Sequence, residues 1–172
     1  MRRDDGFTLV ELLVVVSITG ILASMAVMSL WRSRSVANES SAIGSMRSIT
    51  NAQLLYSSSC AAGGYATNLA TLGVPPPGST TGYLAPDLAS AAVVQKSGYR
   101  FQLAPSAGAL AASNDCNGTA TQTGYYARSE PVTFGMTGNR SFATISPTNV
   151  IWQDYTAVAP AEPLGAPAVP AQ

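Results

Sequence analysis

Residues 6–31 read GFTLVELLVVVSITGILASMAVMSLW, an apolar run with one carboxylate, Glu11, near its start. From Leu12 to Trp31, twenty consecutive residues carry no formal charge. As a helix rising about 1.5 Å per residue, that stretch spans roughly 30 Å, one bilayer hydrocarbon core. An ionised side chain within such a span costs on the order of 2.5 to 3.5 kcal/mol at the centre and less near the interface. Glu11 therefore needs a partner that accounts for it.

Polar residues bound the run on both sides. Arg2 and Arg3 favour a cytoplasmic N-terminus, partly offset by Asp4 and Asp5, and Arg32 and Arg34 mark the exit from the hydrocarbon. Over residues 32–57, Val36, Ile43, Met46, Ile49, Ala52 and Tyr56 recur at intervals of three, four and seven. That spacing predicts an amphipathic helix with one apolar stripe. No Pro or Gly lies between Met28 and Val36, so the two segments are expected to form one helix of about fifty residues. Gly44 weakens it without ending it, and SSSCAAGG (57–64) terminates it.

Residues 58–155 are expected to form a small, loop-rich head. VPPPGSTTG (74–82) is a surface loop, because successive prolines lack backbone donors. Strands are predicted at GYRFQLA (98–104), TGYYARSE (123–130), RSFATIS (140–146) and TNVIWQD (148–154), the last two as a hairpin. Three or four antiparallel strands packed on the amphipathic helix give an α+β fold. The Pro/Ala-rich tail, 156–172, has no periodicity and is expected to be extended or disordered.

Composition limits the chemistry. Nine basic residues balance nine acidic ones, Lys96 is the sole lysine, and no basic face points to nucleic acid. Histidine is absent, so the commonest general base and metal ligand are both missing, and the many serines have no histidine to activate them. No enzyme activity and no cofactor are expected. Asp115, Glu130 and Asp154 are scattered, so no metal site is predicted. Cys60 and Cys116 lack metal-finger or CxxC spacing; in an exported protein they read as a disulfide, with two unpaired thiols as the alternative. Tyr83, Tyr99, Tyr125, Tyr126 and Tyr155 are read as packing residues rather than a sugar- or DNA-binding surface.

A short polar leader, Gly6 followed by Phe7, a lone Glu11 and then a membrane helix together resemble the cleavage and methylation segment of type IV pilins and of type II secretion pseudopilins. The stretch ANESSAIGSMRSITNAQLLY and the later SGYRF are also similar to bacterial pilin-like proteins. The resemblance implies a pilin-like fold with residues 1–6 as leader, 7–31 as filament-core helix and 32–57 as its amphipathic continuation. It implies that a prepilin peptidase cuts between Gly6 and Phe7 and N-methylates Phe7. It implies further that Glu11 pairs with the Phe7 amine of a neighbouring copy during assembly, with intrachain pairing as the other arrangement. Gly20 and Ser24 form a small-xxx-small pair that suits close helix packing.

The implied partners are other copies in a helical filament, the peptidase, the inner membrane, and an assembly platform with its ATPase. The implied location is the bacterial inner membrane with a periplasmic head, then a filament. Two departures from the family pattern stand out: Met28 where many pilins have proline, which favours pseudopilins, and Asp4-Asp5 before Gly6 where a basic residue is more usual. The sequence reading places a type IV pilus subunit first and a secretion pseudopilin second. A third reading is a soluble secreted protein whose signal peptide ends at Ser24-Met25-Ala26.

Overall fold

The computed structural model describes residues 6–171, of the α+β class. The predicted leader, apart from Gly6, lies outside the described residues. The chain divides into two units, Met1–Arg34 and Ser35–Gln172.

Helix α1 runs Leu9–Ser59, and its backbone stays helical through Met28. In the first unit every described side chain from Gly6 to Arg34 is exposed. No apolar stripe is sheltered there, because the residues are apolar on all sides.

In the second unit, α1 buries Ala42, Met46, Ile49, Ala52 and Tyr56. The stripe departs from the predicted one at its beginning. Val36 is exposed, and Glu39 takes a buried position one turn later. Two short helices follow, α2 (Leu69–Gly73) and α3 (Pro86–Ala89). The Asn68 side chain accepts the Thr71 N–H and so caps α2.

Six strands form one antiparallel sheet: β1 (Val93–Lys96), β2 (Tyr99–Pro105), β5 (Tyr125–Pro131), β6 (Ser141–Ile145), β7 (Ile151–Asp154) and β8 (Val169–Pro170), in that spatial order. The short pair β3 (Ala111–Ala112) and β4 (Thr121–Gln122) stands apart. Ser97 and Gly98 make the two-residue β1–β2 turn with φ of 48° and 72°, the left-handed region such hairpins require. Alternation then sorts the faces. Tyr99, Phe101 and Leu103 on β2, Tyr125 and Ala127 on β5, and Phe142 on β6 are buried in the core with the α1 stripe.

The tail corrects the expectation of disorder. On β6, Phe142 and its neighbour Ala143 face opposite sides, yet both are fully buried. Residues 158–160 of the tail bond to side chains on that second side, and the tail ends in β8 at the sheet edge. Ser141 Oγ donates to the Val158 carbonyl at 2.7 Å, Tyr126 OH to the Pro160 carbonyl at 2.7 Å, and Ala171 N to the Ile151 carbonyl at 2.7 Å. The tail is held by its backbone carbonyls and amides and by small alanines, Ala159 and Ala168, that fit against the sheet. Periodicity does not reveal that mode of packing.

Cys60, just past α1, is disulfide-bonded to Cys116, with Cα atoms 4.9 Å apart. Beside it Tyr56 OH donates to Asp115 Oδ2 at 2.7 Å, while Asp115 Oδ1 accepts the Asn117 and Thr119 amides at 2.9 and 2.6 Å. Burial, and then the Asp115 carboxylate, push the Tyr56 phenol well above its ordinary pKa. The disulfide and this network fix the 113–119 loop against the end of α1.

Candidate functional site: the N-terminal segment and its carboxylate

The segment that carries the sequence signature has simple local chemistry. Leu9 is the first helical residue, so Thr8 is the N-cap and Glu11 the third residue of the first turn. Glu11 N donates to Thr8 Oγ1 at 3.2 Å, and Thr8 N donates to Glu11 Oε2 at 3.0 Å. The Thr8 hydroxyl donates to the same carboxylate oxygen at 2.7 Å. These reciprocal bonds form a capping box, which satisfies two of the amide donors that a helix start leaves unpaired. Its sequence signal is TLVE, Thr8 to Glu11, a Ser/Thr-x-x-Glu pattern before an apolar run. As a charge in a membrane segment Glu11 draws attention away from Thr8, whose role shows only in this pattern.

Intrachain pairing therefore takes a different form here from the one considered for Phe7 and Glu11. In the uncleaved chain residue 7 offers an amide rather than an ammonium, and Glu11 turns to Thr8. Gly6 and Phe7 precede the helix outside any helix or strand and are exposed, Phe7 by 84%.

Further along, the hydroxyls fold back onto the helix. Ser17 Oγ donates to the Leu13 carbonyl, Thr19 Oγ1 to the Val15 carbonyl, and Ser24 Oγ to the Ile21 carbonyl, at 2.7 to 2.8 Å. Hydroxyls satisfied in this way need no water, so they are compatible with an apolar surrounding. At Gly20 a Cβ would meet nothing within 4 Å, so its small size is not required by contacts within the chain. Gly20 and Ser24 lie one turn apart on this exposed helix. α1 contains a stretch long and apolar enough to cross a membrane.

The second unit holds a contrasting carboxylate. Glu39 Oε2 lies 2.8 Å from both Arg140 Nε and Nη2, and Glu39 Oε1 accepts the Asn139 amide at 2.7 Å. Arg140 also donates to Gln153 Oε1 and sits 5.7 Å from the centre of the Phe142 ring. Its carbonyl accepts the Tyr99 hydroxyl at 2.7 Å; burial, and then the Glu39 charge, push that phenol's pKa upward. Gly138 is required nearby, since a Cβ there would collide with the Tyr99 ring and hydroxyl.

Among the described residues no three acidic or cysteine side chains gather as a metal site would need. Asp115, Glu130 and Asp154 serve separate local bonds. A shallow cleft of about 190 Å³, lined by Arg47, Thr50, Asn51, Asn149 and Ile151, offers one cation and neutral groups without a nucleophile and its base.

Residues 1–27 match the family described as the prokaryotic N-terminal methylation motif. Over 55 residues the chain is 40% identical to type II secretion system core protein G of Aeromonas hydrophila. That stretch is 32% of this chain and 38% of the relative, so the chain spans well under half of that protein's length. No solved structure matches. The chain therefore carries the prokaryotic N-terminal methylation motif over residues 1–27 and is similar, over 55 residues, to a core protein of type II secretion.

Proposed function

We propose that the chain is a structural, non-enzymatic subunit that is inserted in the bacterial inner membrane, cut between Gly6 and Phe7 and N-methylated by a prepilin peptidase, and then polymerised through its N-terminal helix. The single observation that carries this reading is the pairing of the methylation motif with an apolar helical segment whose described side chains are all exposed in the isolated chain. Such a surface needs lipid first and other copies afterwards. Cleavage would create an ammonium at Phe7, largely protonated at neutral pH. Glu11 would then exchange its bonds to Thr8 for the Phe7 ammonium of a neighbouring copy, in a surrounding where opposite charges attract more strongly than in water. Gly20 and Ser24 would let helices approach closely, and an assembly platform with its ATPase would move subunits out of the membrane.

The likeness to core protein G supports a secretion pseudopilus over a surface pilus, as does Met28 at the position where many pilins have proline. The test is the intact mass and N-terminal sequence of the protein recovered from its native cells. The expected product starts at N-methylated Phe7. A product starting near Val27 would mean signal-peptide cleavage and a soluble secreted protein, and would overturn the reading.

A further inference from the structure

The loop beside the disulfide carries a chemistry that neither the fold nor the proposed assembly uses. Asn117 is the only asparagine in the chain that precedes a glycine. Asparagine is a chemically labile residue, and before glycine it is at its most reactive, because no Cβ shields the following backbone nitrogen. In that reaction the Gly118 nitrogen loses its proton and attacks Asn117 Cγ. An N–C bond forms, the Cγ–Nδ2 bond breaks and ammonia leaves. Water then opens the resulting succinimide at either carbonyl, leaving aspartate or isoaspartate and one new negative charge. Ser113, Asn114 and residues 116–120 are exposed, so water and base reach the pair.

Exposure alone would make Asn117 labile, but the bonds of the loop oppose each step. Gly118 N donates to the Asp115 carbonyl at 3.0 Å, so the attacking nitrogen keeps its proton and is turned toward residue 115. Asn117 Nδ2 donates to the Pro75 carbonyl at 3.3 Å, which ties the leaving amide to the 74–82 loop. Asp115 Oδ1 accepts the amides of Asn117 and Thr119, the residues on either side of Gly118. A carboxylate held there repels the negative charge that would develop on the Gly118 nitrogen. Asp115 is itself buried and fixed by the Tyr56 hydroxyl. Asp115 N donates to the Thr119 carbonyl and Cys116 N to the Cys60 carbonyl, both at 2.8 Å. Cyclisation needs the nitrogen and Cγ aligned at near-contact distance, yet every backbone amide from 115 to 119 is committed elsewhere.

We infer that Asn117 is a latent deamidation site that the Asp115 clamp holds shut: the folded, oxidised chain keeps asparagine there, and a loop released from Asp115 converts it through the succinimide. Conversion would place a second carboxylate beside Asp115, where like charges repel. As isoaspartate it would also lengthen the backbone of a turn whose bonds all depend on register with Asp115. Opening and conversion would therefore reinforce each other, and a chain once converted would not regain the closed loop.

The test incubates the full oxidised chain in detergent solution at mildly alkaline pH. Beside it, a linear synthetic peptide of residues 113–121 with its thiol blocked is the unstructured reference. Peptide mapping by mass spectrometry follows aspartate and isoaspartate at position 117. The expected result is conversion several-fold slower in the chain than in the peptide, and several-fold faster in Asp115→Ala than in the parent chain. Parent conversion at the peptide's rate would overturn the inference. So would an Asp115→Ala chain that keeps the parent's circular dichroism yet converts as slowly as the parent. If Asp115→Ala does not fold, Tyr56→Phe decides, since it removes only the hydroxyl's bond to Asp115. Conversion faster than in the parent then supports the clamp, and an equal rate overturns it.

Discussion

Glu11 and Glu39 lie on one helix and show how differently its two parts are satisfied. Glu11 is exposed and bonds only to its own first turn, through Thr8. Glu39 is 5% exposed and is held by Arg140 and Asn139, about a hundred residues away in sequence. Around Glu11 every described side chain is apolar or folded back onto the helix, and all are open. Around Glu39 the helix is bonded to Arg140, just before β6, and to the loop that precedes it. One unit has its complement within the chain, and the other leaves its complement to be supplied from outside. A carboxylate with only local bonds is free to change partners, whereas one buried with an arginine is committed.

The sharpest way to break this contrast is Glu11→Ala, which should leave membrane insertion and the thermal unfolding of the second unit unchanged while filament yield falls to near zero. Normal yield from that variant would remove Glu11 from assembly. Next in size, replacing Cys60 and Cys116 together by serine opens a loop of 56 residues. Chain-entropy reasoning for that length gives a loss of about 4 kcal/mol, visible as a lower denaturant midpoint. A smaller loss, of about 3 kcal/mol, is expected for Glu39→Ala, because Arg140 remains largely buried without its carboxylate. If Glu39→Ala left the midpoint unmoved and abolished filaments, the two glutamates would have exchanged roles.

The smallest effect concerns the tail. Tyr126→Phe removes the bond to the Pro160 carbonyl and should cost about 1 kcal/mol at neutral pH. Burial pushes the Tyr126 phenol up to about 12, and burial likewise pushes Tyr125 up to about 12. Both folded values lie above the unfolded value near 10. Their contribution is complete below about pH 10 and is lost as the pH rises toward 12. The unfolding midpoint should therefore fall across that interval, less steeply in Tyr126→Phe than in the parent. Equal slopes would show that the tail does not bury the phenol.

Legibility in the sequence follows the same division. The first unit is readable because its signal is local: a span of apolar residues, Gly6-Phe7, and one carboxylate. The strands with aromatic and β-branched residues between Pro, Gly and Asn were also readable, as in SFATI and VIWQD. Three features were not. VVQK, which forms β1, follows an Ala/Ser run and is too short for its alternation to stand out. Glu39 occupies a core position because of Arg140, a partner that no local pattern announces. The tail packs through backbone groups and alanines, whose sequence resembles that of a flexible linker.

Strand β8 lies at the edge of the main sheet and consists of Val169 and Pro170. Proline has no amide hydrogen, so the outermost position opposite Trp152 cannot donate to an incoming strand. An open sheet edge is the usual route by which β-proteins stick to one another. In the proposed assembly of many copies, that blunted border would discourage edge-to-edge aggregation and leave ordered association to the helices.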